Sequence, residues 1–140
     1  MSVYLDVNVL VPLFAIDPLT QRADTALRRL HDDLIVSDFS GAEFSAVIAR
    51  RVRTRDLRAD EARTAFANFD TWCARHAKLV SIESADILGA TGLMRRLDLS
   101  LRTPDAIHMA LVQRIDCRLL SFDRTLVSAA RALGIAVIRS

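Results

Sequence analysis

Four carboxylates in this sequence fall where an ionised group could do chemistry. Asp6 interrupts "VYLDVNVLVPLF", residues 3–14, a run so apolar and β-branched that it reads as a strand buried on both faces leading into a buried helix. An ionised group there is costly unless it is paired or bound to a metal. Glu43 lies one turn into a helix in "DFSGAEFSAVIARR" and shares a stripe with Val47 and Arg50, beside the apolar face of Phe44, Val47 and Ile48. Asp105 falls in the first turn of the helix in "LRTPDAIHMAL", and Asp123 ends the run "LLSFD". Carboxylates gathered at one place repel one another, so such a cluster is stable at neutral pH mainly when a divalent cation neutralises it. Oxygen-only ligands select Mg²⁺ or Mn²⁺ over zinc. The chemistry that uses such a site is phosphoryl transfer or phosphodiester hydrolysis.

Each acid also has a plainer reading. Asp105 follows Thr103 and Pro104, which suit an N-cap and a first helical position, and an acid in that first turn is favoured by the helix dipole alone. Asp123 could be the N-cap of a helix beginning at Arg124, and Glu43 could pair with Arg50 or face solvent. Asp6 is the hardest of the four to explain without a ligand.

The elements that would carry these residues alternate along the chain. Short apolar runs at 3–5, 34–37, 79–82, 118–121 and 136–138 read as strands, and helical periodicity covers 19–32, 40–53, 59–77, 85–97, 104–114 and 124–133. Alternation of this kind predicts a three-layer α/β/α sandwich around a mainly parallel sheet of about five strands. In open parallel sheets ligands bind beyond the carboxyl ends of the strands, where the acids fall. No linker or repeat divides the 140 residues, so residues 1–140 are expected to form one domain.

Composition narrows the class. Hydrophobic residues make up 51% and charged residues 26%, which excludes general disorder. The formal charge is only +2, yet Lys78 is the single lysine and every other basic side chain is arginine. Arginine concentrates in "RRVRTRDLRADEAR", a segment that could be a solvated helix end or a nucleic-acid contact. Cys73 and Cys117 belong to no CxxC or Cys/His cluster, which argues for reduced, packed thiols in the cytoplasm. No apolar run approaches the ~18 residues of a membrane span, and no signal peptide is evident.

In order and spacing, "YLDVNVLVPLF", "SGAEFSAVIARR", "LRTPDAIHMALV" and "LLSFDRTLVSAARALGI" resemble the four-acid pattern of the PIN-domain ribonucleases, most closely the VapC-type toxins of bacterial toxin–antitoxin pairs. The resemblance spans essentially the whole chain. It implies an Mg²⁺-dependent endoribonuclease in which Asp6, Asp105 and Asp123 ligate metal and Glu43 is the fourth acid. Asn8 matches a small polar position that could orient Asp6, and Thr103 and Ser121 could help shape the site. Position 7 departs from the commoner hydroxyl residue and is Val7. The resemblance further implies an RNA substrate, a cognate antitoxin protein and a homodimer. Arg50, Arg51, Arg53, Arg55 and Arg102 are the candidates for contacting RNA phosphate or the antitoxin.

Rival chemistries on a similar sheet lack their residues. A haloacid-dehalogenase-type phosphatase needs an acid two residues after its nucleophilic Asp, where this chain has Asn8. A response-regulator receiver needs an acid at the end of the third strand and a lysine after the fifth, whereas Lys78 precedes the third. A PIN nuclease of RNA maturation or decay, or an inactive PIN-fold interaction module, would share the pattern read here. His108, three residues after Asp105, reads as a packed or hydrogen-bonded histidine, and Phe66, Phe69 and Trp72 read as packing at helical spacing.

Overall fold

Four apolar runs pair side by side to make the centre of the molecule. A computed structural model describes residues 1–140, in the order β1 (Val3–Leu5), α1 (Val7–Phe14), α2 (Thr20–Arg28), β2 (Leu34–Ser37), α3 (Asp38–Arg53), α4 (Ala59–His76), β3 (Ala77–Val80), α5 (Ser84–Arg95), α6 (Thr103–Ile115), β4 (Arg118–Leu120) and α7 (Arg124–Ala132). The sheet order is β3-β2-β1-β4 with every pairing parallel. Strand order therefore reverses between β1 and β4. The segments leaving those two strands carry Asp6 and Asp123 at the switch point where open sheets bind ligands.

The period of two along each strand divides the core. Val3, Leu5, Val36 and Leu120 join a cluster with α1, α2, α3 and α4, while Tyr4, Ile35 and Leu119 point to the other face, against α5, α6 and α7. The sheet is thus covered on both sides, which gives the expected three layers. Phe69 stacks on Phe44 with ring centroids 4.1 Å apart, and Trp72 meets Phe14 edge-on, so these aromatics pack the core. Cys73 and Cys117 lie one in each cluster, and burial pushes both thiols up to about 11. No helix is long and apolar enough to cross a membrane.

Two expectations need correction. The sheet has four strands, because segment 136–138 is reduced to a single bridge between Leu119 and Val137. It follows Gly134, whose φ of 75° turns the chain after α7, and it makes only the pair of backbone hydrogen bonds on either side of Leu119. The third strand begins at Ala77, two residues before the apolar run that suggested it. At the sheet edge its register follows backbone pairing to β2, with Ser37 opposite Val80, and Leu79 is left 62% exposed.

Candidate functional site

Asp6 ends β1 and caps α1, which accounts for its place in an apolar run. Its Oδ1 accepts the Val7 N–H at 2.7 Å, its Oδ2 accepts the Ser121 hydroxyl at 2.7 Å, and the residue is 5% exposed. No arginine, lysine or histidine forms an ion pair with it. Burial pushes its carboxyl above the ordinary range against His108, Ser121 and the Val7 N–H, and the nearby Glu43 charge pushes the same way as burial.

Ser121, just past β4, joins the two strand ends. Its Oγ donates to Asp6 and accepts from Asn8 Nδ2 at 3.1 Å and from the Asp123 N–H at 3.1 Å. One proton and two lone pairs are all a hydroxyl has, so Ser121 is fully used. Asn8 Oδ1 in turn accepts the Phe122 N–H at 3.0 Å. Asp123 is the N-cap of α7, its Oδ1 accepting the N–H groups of Thr125 and Leu126 at 2.9 and 3.3 Å.

Glu43 is held from the opposite side. Its Oε1 pairs with His108 Nε2, and it does not pair with Arg50. His108 is 2% exposed, and its Nδ1 lies 2.6 Å from the Tyr4 hydroxyl, which also meets Ser37 Oγ at 2.7 Å and Ser40 Oγ at 3.2 Å. Burial drives the Tyr4 hydroxyl well above its ordinary pKa, so it stays protonated. Sequence reasoning gave His108 no part in the site. Its spacing of three from Asp105 was the available signal, and Tyr4 carried none beyond its place next to Leu5 in a buried strand.

Asp105 sits one turn before His108 and closes a capping box on Arg102, whose backbone N–H it accepts at 3.0 Å. The N-cap of α6 is thus Arg102, and Thr103 is the first helical residue, its exposed hydroxyl facing the Met94 sulfur at 3.8 Å. The Arg102 guanidinium reaches Asp105 at 3.4 Å. Arg51 is committed to Asp17 at 2.7 Å. Arg50, Arg51 and Arg53 occupy the last turn of α3, so Arg53 lies ten residues and about 15 Å along the helix axis from Glu43, with Arg55 beyond it.

Hydrogen bonds to Glu43, Asp105 and Asp123 each engage one carboxylate oxygen and leave Glu43 Oε2, Asp105 Oδ1 and Asp123 Oδ2 unused. Both nitrogens of His108 are occupied. The free donors are therefore all oxygen, and the buried Asp6 carboxylate, which forms no ion pair, lies near enough to Glu43 to feel its charge, so this donor chemistry fits a hard divalent ion. No three acid, histidine or cysteine side chains are grouped closely enough to close a coordination shell by themselves. Mg²⁺ does not require that, since it binds through a few carboxylates and keeps several waters.

The PIN domain model matches residues 3–132. The chain belongs to the PIN-domain family. This PIN domain is 31% identical to Ribonuclease VapC46 of Mycobacterium tuberculosis over 141 residues, covering 98% of this chain and 96% of that protein. Among solved structures it is similar to VapC20 of Mycobacterium tuberculosis, described as a sarcin–ricin loop cleaving toxin, with a TM-score of 0.77 at 16% identity and 99% of both chains covered. A toxin–antitoxin complex from Klebsiella pneumoniae gives a TM-score of 0.63 at 18% identity, over 98% of this PIN domain and 96% of that chain.

Proposed function

We propose that residues 1–140 act as one PIN domain that hydrolyses RNA phosphodiester bonds with Mg²⁺ or Mn²⁺, as the cytoplasmic toxin of a toxin–antitoxin pair. The observation that carries this reading is Asp6, a buried carboxylate at the switch point of the sheet that forms no ion pair and feels the charge of a second acid, Glu43. Asp6, Glu43, Asp105 and Asp123 would hold the ion. Once bound, the ion supplies positive charge at a scissile phosphate and lowers the pKa of water. The chain's own groups fix the acids: Ser121 and Asn8 orient Asp6 and the loop to Asp123, and His108 anchors Glu43 with help from Tyr4. Support for RNA as substrate is the 31% identity to a ribonuclease over nearly the full length. The antitoxin is supported by likeness to the Klebsiella pneumoniae toxin–antitoxin complex, and the homodimer by the family resemblance alone.

Incubating the purified chain, freed of co-purified protein, with a mixed RNA pool tests this reading. Cutting in Mg²⁺ or Mn²⁺ that stops in EDTA is expected. A chain that cuts nothing with either ion would instead be an interaction module on the same fold.

A further inference from the structure

We propose that a cavity walled by four arginines, lined also by the Ser121 that donates to Asp6, seats the phosphate backbone of single-stranded RNA next to the carboxylates. The cavity measures about 660 Å³ and is lined by Arg22 of α2, Arg124 and Arg131 of α7, Arg139 of the closing segment, and Ser121 and Phe122 at its inner end. No aspartate or glutamate lines it. Arg124, Arg131 and Arg139 form no ion pair, and Arg22 donates to the main-chain O of Ser140 at 3.5 Å. Three guanidiniums without a carboxylate partner in one concavity repel one another, and an anion relieves that repulsion.

The arrangement is ordered in advance. Arg124, Ser128 and Arg131 fall at i, i+4 and i+7 and so share one face of α7. The Arg22 guanidinium lies over the Phe122 ring, 4.3 Å from its centroid, and donates to Ser140 Oγ at 2.9 Å. Guanidinium forks bind phosphate and carboxylate alike. What favours a phosphodiester is position: Ser121 lines this cavity and also donates to Asp6, so a strand lying across the arginines continues into the acid site. Arg53, at the end of α3, lies about 15 Å along the helix axis from Glu43.

This inference rests on the reading of the chain as an RNA nuclease, and its test separates the two. Binding of a short fluorescein-labelled single-stranded RNA is measured by anisotropy in EDTA, across a range of salt, for the wild type, Arg124→Gln/Arg131→Gln and Arg75→Gln/Lys78→Gln. The second pair removes the same charge from the exposed end of α4 and the start of β3, at the opposite edge of the sheet. Loss of the cavity arginines should weaken binding about tenfold or more and lower the salt slope by about 1.4, or ~0.7 for each phosphate contact. The control pair should stay within about twofold. Equal weakening by both pairs, or none by the cavity pair, would overturn the inference. So would arginine-dependent binding of an acidic peptide by a chain that ignores RNA. Metal-dependent cutting is read separately: arginine-dependent RNA binding without cutting supports the cavity and removes the nuclease, while cutting with unchanged RNA affinity in the cavity variant does the reverse.

Discussion

Ser121 gives its only hydroxyl proton to Asp6 Oδ2 across 2.7 Å, although the two residues are separated by 115 positions in sequence. The bond ties the end of β1 to the end of β4 at the point where the strand order reverses. Because the same oxygen accepts from Asn8 and from the Asp123 N–H, one small side chain sets the positions of two of the four acids.

Ser121→Ala is therefore expected to act on both stability and site. It leaves the Asn8 amide and the Asp123 N–H short of an acceptor, a cost of about 1–3 kcal/mol in urea unfolding. It also frees Asp6 to reorient, and support of this kind is typically worth about 10–100-fold in metal affinity or activity. A drop in stability with unchanged Mg²⁺ dependence of cutting would reduce Ser121 to a packing role.

Tyr4→Phe separates anchoring from shape. The ring keeps its place in the core while Ser37, Ser40 and His108 lose the shared hydroxyl, for a loss of about 1–3 kcal/mol. His108 then has one anchor fewer while it holds Glu43, so the reading expects kcat to fall with little change in KM. Equilibrium unfolding and steady-state cleavage of a labelled RNA measure the two effects.

Asp86 and Arg114 join α5 to α6, with Nε to Oδ1 at 2.7 Å and the carboxylate 1% exposed. Burial alone would raise the Asp86 carboxyl, but the Arg114 guanidinium and the Glu83 N–H outweigh it and hold it below the ordinary carboxylate range. A depressed folded value means that the contribution to stability is complete above the unfolded pKa, about 3.9, and is lost as pH falls through the folded value. Asp86→Asn should cost about 2 kcal/mol at pH 7, and the gap between wild type and variant should close below about pH 4. A gap independent of pH would mean that packing, not charge, is what the substitution removes.

Much of this is legible in the sequence. Continuous apolar runs marked β1, β2 and β4 because buried parallel strands must be apolar on both faces, and Asp6 and Asp123 follow the two strands that flank the switch point, whereas Glu43 and Asp105 stand within helices. β3 was misplaced by two residues, since an edge strand's register comes from its neighbour's backbone. "RTPD" suggests Thr103 as cap, yet the Asp105 carboxylate reaches back to the Arg102 N–H and moves the cap one residue earlier. The tie between Glu43 and His108 spans 65 positions, and nothing local in the sequence announces it. Charge density along the chain pointed to Arg50, Arg51, Arg53 and Arg55. Folding also gathers Arg22, Arg124, Arg131 and Arg139 around one cavity, a set that no window of sequence contains.

Asp6 as a metal ligand is most directly tested by thermal melting with and without Mg²⁺, for the wild type and for Asp6→Asn. An ion that binds only the folded chain stabilises it by mass action, by about 2.7 kcal/mol at a hundredfold excess over Kd. The wild-type Tm should rise with Mg²⁺ and the variant's should not, while both remain folded in EDTA. Equal rises in the two proteins, or no rise in the wild type, would contradict the assignment of Asp6 as a metal ligand.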